Sequence, residues 1–297
     1  MTWCKWVNHK DKVLPPVTKH GFTLVEVLVA LVVGLVVIGA VYSVYTVQQR
    51  EYRSQQVRLA LQQNLRAAMV IMEEEIRMAG YDPQGSGRFG IIDVRRYDTV
   101  LNEQNPEGQP ALFYTVDVDE NGVPDARNGN RNREWPNLRV SQDNDTGRRF
   151  LSWDNGGGRH PLAEDIVAMG LAFAVDADGD GRIDVWDDGR HLIWAVDSDN
   201  DNLLDTHLDA NDDGIIDAHD DTDADGRITA ADGGRIDPPL PLQCIRMVRL
   251  WLLAASAYPV RGHWDNRTYV VGDRVFGPAV DGRMRRLLET TIACRNL

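Results

Sequence analysis

Lysine is nearly missing from this chain of 297 residues: Lys5, Lys10, Lys12 and Lys19 are all it has, and none follows position 19. With 32 Lys and Arg against 45 Asp and Glu, the formal net charge is −13. That balance argues against non-specific nucleic-acid binding, which needs cations to displace phosphate counterions. Cysteine is equally sparse. Only Cys4, Cys244 and Cys294 are present, and so few thiols without supporting histidines make a poor zinc site. The seven histidines (His9, His20, His160, His191, His207, His219 and His263) are scattered and read as solvent-facing or loop residues. No nucleophile–base pair stands out, so no catalytic centre is expected. What remains is ample for a core: the chain is 43% hydrophobic and 26% charged, which is not a disordered composition.

The charge is segregated. All the lysines lie in a polar, basic head that ends at His20, whereas residues 176–237 hold twenty Asp, four Arg and no Glu, a net −16. After Gly21 comes an apolar run from Phe22 to Tyr45. At 1.5 Å per residue its roughly two dozen residues span a bilayer. The basic head places its own side in the cytoplasm. The run is too long for a secretory signal core, and no small-x-small cleavage site follows it. Glu26 interrupts it near the start; a lone carboxylate there is costly to bury and is a functional residue awaiting a partner.

Together, Gly21-Phe22-Thr23-Leu24-Val25-Glu26 and the apolar helix that follows resemble the type IV prepilin signature. The resemblance implies cleavage between Gly21 and Phe22 by a prepilin peptidase, and N-methylation of Phe22. A new α-amine would then lie one helical turn from Glu26, on its own or a neighbouring subunit, and pairing lowers the cost of burying both. The implied partners are the membrane, other major and minor pilins through the N-terminal helix, and the inner-membrane assembly machinery. The implied location is the bacterial inner membrane, head in the periplasm, and after assembly a cell-surface pilus.

Neither Gly nor Pro occurs from Ala40 to Ala79. Val57, Leu61, Leu65, Ala68, Met69 and Met72 recur at spacings of three and four, an amphipathic face. One helix from Phe22 to about Ala79 is expected, stopped at Gly80 with Pro83 beyond. Arg50-Glu-Tyr-Arg53, the stretch Glu75 to Pro83, and the closing segment Arg285 to Asn296 resemble PilW-type minor pilins. Strands are expected at Ile166–Val175, Leu192–Val196, Ile245–Leu253, Tyr269–Val271, Arg274–Phe276 and Leu287–Ala293. Residues 102–110 and 124–160, dense in Asn, Gly, Pro and Asp, read as loops. The fold class expected is α+β: a long N-terminal α-helix on an antiparallel β-sheet pilin head, with an Asp-rich calcium-loop insertion. Its divisions are a cleaved leader (1–21), a transmembrane and filament-core half-helix (22–45), an amphipathic half-helix (46–80), the first part of the head (81–175), the acidic loops (176–237) and a C-terminal β region (238–297). Two thiols remaining in an oxidising compartment, Cys244 and Cys294, suggest one disulfide.

The acidic block is periodic. Asp176-Ala-Asp178-Gly-Asp180-Gly181-Arg182-Ile183-Asp184-Val-Trp-Asp187 matches a calcium loop of EF-hand type, with oxygen donors at positions 1, 3, 5, 9 and 12, Gly at 6 and an aliphatic residue at 8. Arg182 at position 7 is counted with this set. Alternate residues of a tightly turning loop point inward, which supplies the six to eight hard oxygens Ca²⁺ requires. The pattern recurs with Asp197, Asp199, Asp201 and Asp205, where Leu208 fails at position 12. Asp209, Asn211, Asp213, Asp217 and Asp220 form a complete copy, and Asp221, Asp223, Asp225 and Asp232 a nearly complete one. A weaker copy precedes them: Asp117, Asp119, Asn121 and Asp125. A solvated low-complexity segment would show neither the Gly phase nor the phased Ile183, Leu204, Ile216 and Ile228. Twelve-residue spacing leaves no room for paired helices, so the block resembles thrombospondin type 3 calcium repeats, with Ca²⁺ as the implied cofactor.

These features imply a non-enzymatic minor pilin of PilW type, incorporated into or priming a type IV pilus, with a calcium-stabilised head. A calcium-dependent tip adhesin and a minor pseudopilin of a type II secretion system are the alternatives. The missing lysines exclude lysine-linked covalent pili.

Overall fold

The computed structural model describes residues 21–96, 108–125, 134–155, 158–186 and 189–297. The basic head with Cys4, and Asp187 of the first acidic loop, lie outside the described residues. One helix, α1 (Leu24–Met78), runs without a break for 55 residues. Thr23 and Glu26 start it with reciprocal hydrogen bonds: the Thr23 N–H and O–H both donate to Glu26 Oε2 at 2.9 Å, and the Glu26 N–H donates back to Thr23 Oγ1 at 3.3 Å. Gly80 ends it at φ 78°, where its N–H reaches the Thr115 carbonyl at 2.9 Å. A Cβ on Gly80 would lie 2.7 Å from the Asn296 carbonyl oxygen, so the chain's C-terminus can close over the helix end. Residues through Tyr52 form one compact unit and those from Arg53 onward another. In the first, the apolar side chains from Phe22 to Val47 are largely exposed. In the second, α1 buries Leu61, Leu65, Ala68, Met69, Met72 and Ile76.

The second unit holds two main sheets. The first is an antiparallel meander of β1 (Ile91–Asp93), β2 (Ala111–Tyr114), β3 (Asn137–Gln142), β4 (Arg149–Asp154) and β5 (Arg159–Glu164). The second contains β6 (Ile166–Val175), β7 (Ala195–Val196), β8 (Leu203–His207), β9 (Arg235–Pro241), β10 (Ile245–Ala255) and β13 (Arg285–Ala293), in the order β13-β10-β6-β7-β8-β9. A hairpin of β11 (Tyr269–Val271) and β12 (Arg274–Phe276) stands apart.

Strand β6 reads as a continuous apolar run, and β10 becomes one after Arg249, because the second sheet is covered on both faces there. Met169, Leu171, Phe173, Val248, Leu250 and Leu252 join one core with α1 and the first sheet. Ala168, Ala172, Trp251 and Leu253 join another, completed by Tyr269 and Val271 of the hairpin and by Leu208 and Ile228 from the acidic loops. The helix and antiparallel sheets agree with the expected α+β class.

Three expectations are corrected. Residues 124–160 are not simply loop: β3 and β4 lie there, with Leu138, Val140 and Leu151 buried. They alternate with Arg139, Ser141 and Ser152, of which the two serines are also buried and share a hydrogen bond at 2.8 Å, so polar residues inside the strands and turn residues at both ends obscure the pattern. Residues 176–237 are not an added module, since β7, β8 and the start of β9 occur inside them and complete the second sheet. The bridge expected between Cys244 and Cys294 is not formed; both are free thiols. The ladder places Cys294 beside Arg246, to whose carbonyl its N–H donates at 2.9 Å, while Cys244 sits in the 3-10 turn before β10. A disulfide needs the two Cα atoms about 4.4–6.8 Å apart, closer than this offset favours.

Candidate functional site

Five acidic loops share one backbone. At the fourth position Glu120, Gly179, Asn200, Asp212 and Ala224 have φ between 57° and 71°. At the sixth, Gly122, Gly181, Asn202, Gly214 and Gly226 have φ between 67° and 88°. Side-chained residues rarely adopt this region, and here they do so in phase with the glycines. The residue at position 6 always donates its N–H to Oδ2 of position 1: Gly122 to Asp117 at 2.9 Å, Gly181 to Asp176 at 3.2 Å, Asn202 to Asp197 at 2.8 Å, Gly214 to Asp209 at 2.8 Å and Gly226 to Asp221 at 2.9 Å. Position 7 donates to position 5 in all five, Arg182 to Asp180 at 2.7 Å among them. These N–H donors hold the acceptor oxygens of positions 1 and 5 in place in every loop.

Carboxylate oxygens gather within 4.8 Å of one another in Asp176–Asp178–Asp180, Asp197–Asp199–Asp201 and Asp221–Asp223–Asp225. In the fourth such group Asp117 and Asp119 are joined by Glu134, which is 1% exposed and lies outside the loop's twelve residues. Sequence spacing missed Glu134; the Val116 N–H, donating to the Glu134 carbonyl at 3.1 Å, brings it in. Asp125 is not in that group; its N–H donates to Glu134 Oε2 at 2.9 Å, and Asn121 Oδ1 accepts the Val123 N–H at 2.7 Å. In the Asp209 loop Asn211 takes the third place, and Asp213 donates its N–H to both Asp209 Oδ1 and Asn211 Oδ1.

The later positions act differently. Asp184 accepts from the Ala177 N–H and Asp205 from the Ser198 N–H, both at 2.8 Å, which ties each loop's ninth residue to its second. Asp217 accepts from His219; Asp220 accepts from Asn211 and Asp217; Asp232 accepts from Thr222 and Thr229. Leu208, which fails at position 12, is fully buried in the second core, so that place has a packing role. Arg182, at position 7, could serve only through its backbone carbonyl oxygen, because a guanidinium has no acceptor atom.

The donor set suits a hard divalent cation. All the gathered atoms are oxygens, and Asp176 Oδ1 is buried without a hydrogen-bond partner. Asp176, Asp197 and Asp209 are at most 5% exposed, a costly state for carboxylates that the long ion pair of Asp176 with Arg246, at 3.8 Å, offsets only in part. Burial raises the pKa of Asp197 and Asp220, against the backbone hydrogen bonds that lower it. His207 was read as exposed or in a loop; it is fully buried in β8, stacked on Trp186 at 4.5 Å, and takes the Trp194 N–H at Nδ1. Its burial lowers its pKa, which keeps it neutral.

The N-terminal site is simpler. Phe22 is 87% exposed, and Glu26 satisfies its carboxylate on Thr23.

Comparison with known proteins gives two family matches. Residues 18–42 match the prokaryotic N-terminal methylation motif, and residues 113–296 match the family described as Type IV Pilus-assembly protein W. No curated protein matches the chain. Among solved structures, a type IV-like pilin from Thermus thermophilus aligns at 15% identity and a TM-score of 0.37, covering 80% of this chain and 97% of that one. With the second family match spanning more than half its length, the chain belongs to the type IV pilus-assembly protein W family.

Proposed function

We propose that the protein is a minor pilin that joins or primes a type IV pilus and whose head is closed by calcium. One observation carries the pilin part: an apolar helix from Leu24 whose first half is exposed in its own unit, with a single carboxylate, Glu26, at its start. Such a surface needs a bilayer or a bundle of like helices. Cleavage after Gly21 leaves the Phe22 amine beside Glu26, whose hydrogen bonds to Thr23 can then be shared with a neighbouring subunit's amine. The pilin family is one of structural proteins, and the acidic groups are placed for metal rather than for proton transfer. The basic leader keeps the N-terminus cytoplasmic and the head periplasmic until assembly carries it to the surface.

Calcium would be held by Asp176, Asp178 and Asp180, by Asp197, Asp199 and Asp201, by Asp209, Asn211 and Asp213, by Asp221, Asp223 and Asp225, and by Asp117, Asp119 and Glu134. Support comes from the shared backbone of the five loops and the orphaned oxygen of Asp176. The cation would supply positive charge where −16 is concentrated in 62 residues.

The test is deletion of the gene with complementation by wild type or Glu26→Ala, scored for pilus number, calcium-dependent attachment and secretion. Loss of pili, restored by wild type but not by Glu26→Ala, with the protein at low copy in sheared filaments, is expected. Normal pili with lost attachment would instead favour a tip adhesin, and normal pili with blocked secretion a pseudopilin.

A further inference from the structure

A second site lies at the end of the six-stranded sheet, beside the β11–β12 hairpin. A cavity of about 450 Å³ opens there among Arg149, Arg267, Arg283 and Arg285, over an apolar floor that includes Tyr269 and Phe276. Four arginines converge in a chain whose net charge is −13. Two of them are matched: Arg267 pairs with Asp265 at 3.1 Å, and Arg285 with Asp281 at 2.7 Å and Asp265 at 3.4 Å. The other two have no ion pair among the described residues. The Arg149 guanidinium donates to the Val167 carbonyl at 2.9 Å, and no carboxylate reaches it. Burial, with a smaller contribution from the charge of Arg274, pushes the Arg149 pKa down. A half-buried guanidinium facing other guanidiniums without an anion is costly. An anion in the cavity removes that cost.

We propose that this cavity binds a phosphoryl group carried on an apolar frame, with Arg149 and Arg283 as its ligands. Guanidinium forks match phosphate oxygens two at a time, which a lysine cannot do. Arg285 and Arg267, held by Asp265 and Asp281, form the fixed wall, while Tyr269, Phe276 and the aliphatic floor receive the frame. The volume suits a small organic group. A soluble phosphomonoester and a phospholipid headgroup share this chemistry.

The experiment uses the full chain in nonionic micelles. Phenyl phosphate is titrated and followed by phosphorus NMR linewidth, with phenol as the neutral control. In a second arm the micelles are doped with phosphatidylglycerol or with phosphatidylcholine. Saturable one-to-one binding of phenyl phosphate, weakened roughly tenfold or more by Arg149→Gln and by Arg283→Gln, is expected for a soluble ligand. Binding only to phosphatidylglycerol, with the same sensitivity, assigns the headgroup. Absence of saturable binding in both arms overturns the proposal, as does equal weakening by Arg235→Gln, which lies outside the cavity. Arg283 is on the exposed rim, so its variant remains informative if Arg149→Gln alters folding.

Discussion

Replacing Asp199 by Asn separates metal binding from ordinary structure. Asp199 is exposed, and among the described residues it accepts the Asp201 N–H at Oδ1 at 3.2 Å, which an asparagine oxygen can still accept. The metal-free protein should therefore change by no more than about 0.5 kcal/mol. Its role in the proposed calcium site is larger, because it is one of three carboxylates gathered in its loop. Extracellular sites of this kind have Kd of about 10⁻⁴–10⁻³ M. At roughly 10 mM calcium, each occupied loop then adds about 1.4–2.7 kcal/mol through mass action. For a head of this size each kcal/mol moves Tm by about 2–4 °C, so one loop is worth roughly 3–11 °C. The assay is calorimetry of the full chain in nonionic detergent, with calcium added after chelation and magnesium at equal ionic strength as control. Wild type should gain several such increments, and Asp199→Asn one increment fewer from the same metal-free midpoint. No calcium shift beyond that of magnesium, or an equal loss with and without metal, refutes the reasoning.

Three further outcomes follow from the second unit. Arg96 and Asp273 form a buried pair, and Arg96 also donates to the Asp197 carbonyl at 2.5 Å; Arg96→Met should cost about 3–5 kcal/mol in urea unfolding, with much of the loss recovered in Arg96→Met/Asp273→Leu. A single-variant loss under about 1 kcal/mol would count against that pair. Burial pushes the Cys294 thiol up to about 12, so iodoacetamide should label Cys244 in the native protein and leave Cys294 unreacted until denaturation; equal rates contradict the burial. The hydrogen bond from Arg285 holds Asp281 down at about 2, so its stabilisation is complete above the unfolded carboxylate value and disappears as pH falls through 2. Asp281→Asn should flatten the acid limb of stability between roughly pH 4 and 2, and an unchanged limb removes Asp281 from the account.

What could be read from the sequence was what a single period or a single dense motif encodes. The spacing of Leu61, Leu65, Ala68, Met69 and Met72 specified the buried face of α1 because an isolated amphipathic helix repeats its pattern over many turns. β6 and β10 were visible as apolar runs for the opposite reason, burial on both faces. The first sheet was not legible. Its strands are three to six residues long and partly polar, and residues such as Asn137 and Asp154 punctuate it like a loop. The loops at Asp176, Asp197, Asp209 and Asp221 were legible down to the left-handed sixth residue, since all the geometry is local. Glu134 was not, because its place beside Asp117 is set by packing between segments. His207 escaped for the same reason: only the fold puts it against Trp186.

If calcium closes the head as proposed, the position of the acidic loops in the topology determines which part of it depends on the metal. β6 and β7 are joined by a single registered pair, Phe173 and Ala195, and β7 has only two residues. The β6–β10 seam, by contrast, has nine registered pairs and two strands of ten and eleven residues. Four of the five acidic loops occupy the connections from β6 to β7, from β7 to β8 and from β8 to β9, so their repulsion acts across the thinnest seam in the sheet. Without a cation that seam should open first, because few backbone bonds oppose the charge. Hydrogen exchange read by mass spectrometry can locate the opening. Chelation should speed exchange in residues 195–241 and leave 166–175 and 245–255 protected, since β6, β10 and β13 keep both their ladders and their core. Uniform acceleration along the whole sheet would mean that the metal acts on global stability alone. No acceleration anywhere would mean that the loops hold their shape through their N–H donors without calcium, and the acidic block would then need another explanation.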